Sequence, residues 1–151
     1  VEIELFVYDL NDPAGPSTNG IPTANFDAGL STNPQYLTAS NGKLYFFGDN
    51  GADTSLFVYD PVDGETDMLL DKITARPIAI IENRIYLQGS DLSYFDIDSG
   101  VYSSVISGGT TVGLNNATDI AALGGKIYFD GGLGWPYPSE LFVYFPDDLT
   151  I

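Results

Sequence analysis

Three stretches of the chain repeat one arrangement of polar and apolar positions. They are Asn41-Gly42-Lys43-Leu44-Tyr45-Phe46-Phe47-Gly48, Glu82-Asn83-Arg84-Ile85-Tyr86-Leu87-Gln88-Gly89 and Gly124-Gly125-Lys126-Ile127-Tyr128-Phe129-Asp130-Gly131. Aligned on their tyrosines, Tyr45, Tyr86 and Tyr128, they recur after 41 and then 42 residues. An apolar segment precedes each: Tyr36-Leu37-Thr38-Ala39, Pro77-Ile78-Ala79-Ile80-Ile81 and Ile120-Ala121-Ala122-Leu123. Between the two segments stand Asn41-Gly42, Glu82-Asn83 and Gly124-Gly125, tight hairpin turns because Asn and Gly tolerate positive φ. A third strand follows each hairpin: Leu56-Phe57-Val58-Tyr59-Asp60, Leu92-Ser93-Tyr94-Phe95-Asp96 and Leu141-Phe142-Val143-Tyr144-Phe145. Polar turns such as Pro61-Val62-Asp63-Gly64 and Ile97-Asp98-Ser99-Gly100 lead to a fourth, more exposed strand, Thr66 to Leu70 and Val101 to Ile106. No dozen residues carry helical apolar spacing.

Four short antiparallel strands repeating every 40 residues or so predict β-propeller-like blades. The inner strands are apolar on both faces, as they must be where blades stack face to face. The predicted fold is all-β, with about three to four blades and an incomplete propeller. Its expected divisions are a partial blade over 1–32 and blades over 33–72, 73–109 and 110–151. The partial blade holds a third strand, since Leu5-Phe6-Val7-Tyr8-Asp9 repeats the Leu56–Asp60 string, then a loop and a fourth strand. The chain opens on Val1, as a processed form or a piece of a longer protein would.

Composition narrows the partners. Among 151 residues are 21 acidic and five basic side chains, a net charge of −16. Such a surface repels phosphate backbones and anionic membranes, so nucleic acid is not an expected partner; with no run of about 18 apolar residues, membrane insertion is not expected either. Two settings suit the charge: high salt, which screens it, and calcium, which neutralises clustered carboxylates. Solubility alone is the plainer explanation. There is no Cys and no His, which removes disulfides, thiolate metal sites, histidine-ligated metals and Ser-His or Cys-His machinery.

The residues Asn33-Pro34-Gln35-Tyr36-Leu37-Thr38-Ala39, Asn41–Phe46, Gly48-Asp49-Asn50-Gly51 and Leu56-Phe57-Val58 resemble bacterial ELWxxDG-type repeats and, more distantly, kelch repeats. Ser139-Glu140-Leu141-Phe142-Val143 is nearest to the signature, with Phe in place of its Trp, and Asp60-Pro61 with Asp63-Gly64 is similar to a kelch turn. The Trp of the signature is missing from every copy, and the kelch Gly-Gly pair is reduced to Gly48-Asp49 or Gln88-Gly89, with Gly131-Gly132 the one intact copy of it. The resemblance spans about residues 33 to 148 and implies a secreted, multi-repeat surface protein used for adhesion or binding, extracellular or cell-surface in location.

Candidate sites follow from the turns. Asp49, Asn50 and Asp53 share one loop, and Asp60, Asp63, Glu65 and Asp67 lie in and after the next turn. Calcium takes about six to eight oxygens from such groups, although Asp and Asn also open turns by local hydrogen bonding alone. The loop Gly131–Pro138 holds the sole tryptophan, Trp135, beside Tyr137. Aromatic rings there stack on sugars, anchor a protein contact, or cap their own core. Asn116-Ala117-Thr118 is an N-glycosylation sequon. With 21 acidic residues, carboxylate pairs at glycosidase separation arise by chance and none is marked, so an enzyme is not expected.

The expected function is an extracellular binding or structural module that self-associates, adheres or engages other surface proteins through blade edges and faces. The alternatives are a carbohydrate-binding propeller using the aromatic loop and a fragment of a carboxylate-based, glycan-active enzyme.

Overall fold

The computed structural model describes residues 33–49, 53–74, 76–88, 92–105, 119–131 and 140–146. The expected partial blade over 1–32 lies outside them. The chain divides into two compact units, Val1–Ile73 and Thr74–Ile151. All eleven described elements are β-strands, in three antiparallel sheets.

The first unit holds one four-stranded sheet in the order β1 (Gln35–Ser40), β2 (Lys43–Asp49), β3 (Thr54–Asp60) and β4 (Glu65–Leu70). Both faces of its two inner strands are apolar and buried. On one face Phe46 stacks on Phe57, with ring centroids 5.7 Å apart, flanked by Leu44 and Tyr59. Tyr45, Phe47 and Leu56 are buried on the other. Along β4 only Thr66 is buried, so this outer strand reads as predicted.

The second unit holds two sheets. One is four-stranded: β5 (Arg76–Ile81), β6 (Arg84–Gln88), β7 (Leu92–Asp96) and β8 (Val101–Ser104). The other is three-stranded: β9 (Ile120–Leu123), β10 (Lys126–Gly131) and β11 (Glu140–Tyr144), with β10 central. Strand β8 is shorter than the expected Val101–Ile106, and Ile106 lies outside the described residues. Strand β11 stops at Tyr144, leaving Phe145 just beyond it.

These two sheets pack face to face. The face of the β5–β8 sheet that carries Ala79, Ile81, Tyr86, Leu92 and Tyr94 meets the face of the β9–β11 sheet that carries Ile120, Ile127, Phe129, Phe142 and Tyr144. Across the seam the Tyr86 and Tyr144 rings lie 6.0 Å apart. Phe129 stacks on Phe142 with centroids 5.7 Å apart, in the same register as Phe46 on Phe57. The middle sheet breaks this repeat, because Leu87 stands opposite Ser93. The Ser93 hydroxyl, buried there, compensates by bonding the Leu87 carbonyl oxygen at 3.3 Å and the Tyr102 hydroxyl at 2.6 Å.

The first strand of each four-stranded sheet is irregular at one point, between Gln35 and Thr38 and between Arg76 and Ile78. In the second case the slip falls on Pro77, which has no N–H to give a ladder. The two-residue turns adopt the left-handed conformation expected of them: Asn41 and Gly42 at φ 50° and 75°, Gly124 and Gly125 at 59° and 72°. The third turn differs from expectation. Glu82, not Asn83, takes the positive φ, at 54°, a conformation that penalises a side chain carrying Cβ.

Two substitutions follow. Glu82→Asn should raise stability by up to about 1 kcal/mol, since Asn tolerates this region better. Gly125→Ala should lower it by about 1 kcal/mol, a purely backbone cost because an added Cβ would meet nothing within 4 Å. Urea unfolding of both variants checks the pair.

Candidate interaction surface

One repeat position carries most of the positive charge. Lys43, Arg84 and Lys126 each open the second strand of their sheet. Each faces the end of the third strand. Lys43 Nζ lies 2.9 Å from Asp60 Oδ2, and Arg84 Nε lies 3.7 Å from Asp96 Oδ2. In the last sheet the acidic partner is replaced by Phe145, and Lys126 Nζ sits 4.9 Å from its ring centroid. Arg84 also rides 5.0 Å from the centre of the Tyr94 ring. The sequence lines up these three basic residues, but their partners become evident only from strand register.

The two aspartates shape the turns that follow them. Asp60 Oδ1 accepts the Val62 N–H at 2.9 Å, and Asp96 Oδ1 accepts the Ser99 N–H at 2.9 Å and the Ser99 hydroxyl at 2.8 Å. The Gly64 N–H bonds the Asp60 carbonyl, and the Gly100 N–H the Asp96 carbonyl, both at 2.9 Å. Lys43 and the Val62 N–H hold the Asp60 carboxyl below the usual carboxylate range. The Ser99 N–H and hydroxyl, aided by Arg84, do the same for Asp96. Burial pushes the Tyr45, Tyr86 and Tyr144 phenols up.

The other acidic residues singled out from the sequence are spread along the first sheet. Asp49 ends β2, and Asp53 lies 4.0 Å from Lys72 Nζ. Asp63 Oδ1 accepts the Glu65 N–H at 2.9 Å, another local turn bond. Asp67 is exposed on β4, opposite Val58. Among the described residues no three acidic side chains converge on a common point as metal ligands would. Asn50, Trp135, Tyr137 and Asn116 lie outside the described residues.

What sequence reasoning missed is a surface on the β9–β11 sheet. Strand register places Leu123, Lys126, Tyr128, Asp130, Leu141, Val143 and Phe145 on one face. This is the face equivalent to the one that carries Tyr86 in the neighbouring sheet. There it is covered; here Leu123 and Leu141 are each 72% exposed, Phe145 44% and Val143 40%. The alternation Leu141, Val143, Phe145 was the available signal. It was masked because Phe142 and Tyr144 make the strand apolar on both sides.

Charge on this face is sorted along the strand direction. Lys126 marks one end. Asp130 and Asp119 mark the other, where Asp130 Oδ1 accepts the Asp119 N–H at 2.9 Å. The centre is apolar.

One further polar feature lies at the covered seam. Gln88 is buried at 3% exposure, and among the described residues neither end of its amide finds a hydrogen-bond partner. A search against protein families finds no matching model, and no curated protein matches the chain.

Two outcomes are expected. Gln88→Met should raise stability by about 1 kcal/mol or more, because it removes an unsatisfied buried amide at nearly constant shape; thermal unfolding measures it. Lowering pH from 7 toward 4 relieves repulsion among the carboxylates. Asp60 and Asp96 act oppositely: their depressed folded pKa values stabilise fully above the ordinary carboxylate range, and this is lost as pH falls through the folded values. The Asp60→Asn, Asp96→Asn double variant should therefore show a shallower loss of stability below about pH 4, read by urea midpoints at successive pH values.

Proposed function

We propose that this chain is a β-propeller-type repeat module, similar to ELWxxDG and kelch repeats, that works outside the cell as a binding and structural unit. It associates with other proteins, its own copies included, through sheet faces rather than through a catalytic pocket. The observation that carries this reading is the exposed apolar face centred on Tyr128. Its counterpart in the preceding sheet is packed against another sheet. The repetition at 41 and 42 residues and the matching Phe–Phe stacks support blades as the unit. A charge of −16 with no cysteine suits a saline, extracellular setting.

The four strongly exposed apolar side chains amount to roughly 400 Å² per copy, within the range of functional patches on monomers. A contact of two such patches buries about 800 Å², below the roughly 1,200 Å² at which stable specific complexes begin and in the range of weak, transient ones. The contact should therefore be weak, micromolar or poorer. Net repulsion opposes it, so salt should strengthen it.

Sedimentation equilibrium tests the reading. Reversible association should appear at high concentration, tighten between 0.05 and 1 M NaCl and disappear in Leu141→Lys. A chain that stays monomeric up to millimolar concentration at both salts, and binds no surface protein or glycan through this face, overturns it.

A further inference from the structure

We infer that the Tyr128 face is the seat of a two-fold symmetric contact with a second copy of this chain, the basic end of one face lying over the acidic end of the other. The inference rests on the reading just proposed and names its partner and geometry.

Three observations carry it. First, within the second unit a face of this kind is covered by a β-sheet, so its natural occupant is another apolar sheet face. Second, face-to-back stacking of successive copies needs an open face of the opposite type. In all three sheets that face is buried among the described residues: Phe46 and Phe57 in the first, Ile85, Leu87 and Phe95 in the second, Ile127 and Phe129 in the third. Face-to-face contact between like surfaces is what remains. Third, the charges are arranged for it. Along β10 the face reads Lys126, Tyr128, Asp130, with Asp119 beside Asp130. A two-fold axis normal to the strands and passing near Tyr128 reverses one sheet over the other. Each Lys126 then meets the other copy's Asp130 and Asp119, and the apolar middle closes on itself. An axis along the strands would instead set like charges over one another. Such an isologous contact is closed, so association stops at the dimer and builds no filament.

The test uses two charge variants. Lys126→Glu makes both ends of the face acidic, and Asp130→Lys makes both ends basic or mixed beside Asp119. Each variant alone should dimerise at least about 10-fold more weakly than the parent. An equimolar mixture should recover at least parental affinity, because every introduced glutamate then faces an introduced lysine. Far-UV circular dichroism and melting temperature confirm that both variants fold, and the recovery on mixing is itself a readout that loss of folding cannot mimic.

Sedimentation equilibrium in 0.15 M NaCl, with one partner fluorescently labelled, follows the mixture. A parent that dimerises while the mixture gains nothing overturns this geometry but leaves association through the face intact, as does growth of the parent beyond a dimer. A parent that remains monomeric at all concentrations and salts overturns both. Dimerisation of the parent with recovery in the mixture establishes the two-fold contact.

Discussion

A β-strand that is apolar on both sides has no solution within its own sheet. Hydrogen bonds to neighbouring strands fill its edges, but each face still needs cover from another layer. Strands β2, β3, β6, β7 and β11 are of this type, and the packing follows from their demand. In the second unit the demand is met by stacking Tyr86, Ala79 and Leu92 on Ile127, Phe129 and Tyr144. Where stacking is incomplete, at the Tyr128 face, an apolar surface is left in solvent. The same physics that builds the core thus also accounts for this exposed apolar face.

Electrostatics is subordinate to this packing but is organised by it. A net charge of −16 repels itself everywhere, yet three of the five basic residues stand at one repeat position. In the first two sheets that residue pairs with the aspartate that also shapes the next turn, at 2.9 and 3.7 Å. The arrangement ties the rim of each sheet together at the end where both hairpin turns lie. In the middle sheet Asn83 Nδ2 adds a bond to Asp98 Oδ2 at 2.7 Å. These are surface contacts of modest individual worth; their role is to fix turn geometry more than to supply stability. In the third sheet the aspartate gives way to Phe145, so Lys126 is held over a ring and its charge is left to act outward.

The middle sheet is the least regular of the three, and its departures are polar. Ser93 replaces the second phenylalanine of the stacked pair, Gln88 stands where the first sheet has Phe47, and Glu82 holds a turn that Asn and Gly hold elsewhere. Ser93 is satisfied by Tyr102 and by a backbone carbonyl; the Gln88 amide and the Glu82 backbone are strained points. A repeat pattern tolerates such departures because the other two sheets keep it.

Much of the local structure was legible in the chain itself. Short continuous apolar runs, Asn-Gly and Gly-Gly turns and the 41- and 42-residue spacing identified the strands to within a residue or two, their antiparallel order and the exposed outer strand. These are local properties, set by side-chain alternation and by which residues accept positive φ. The candidate metal and turn residues were legible only as a composition. Hydrogen bonding within single turns, seen at Asp60, Asp63 and Asp96, competes for the same oxygens, and no spacing rule separates the two uses. The sequence alone determined that these strands are apolar on both sides and that three basic residues recur in step. Which apolar face is covered and which stands open, and whether a given lysine meets an aspartate or a phenylalanine ring, was decided only by tertiary structure. The reason is physical: burial and cross-strand pairing belong to surfaces brought together from distant parts of the chain, and a strand's own alternation is the same whether or not a second sheet arrives.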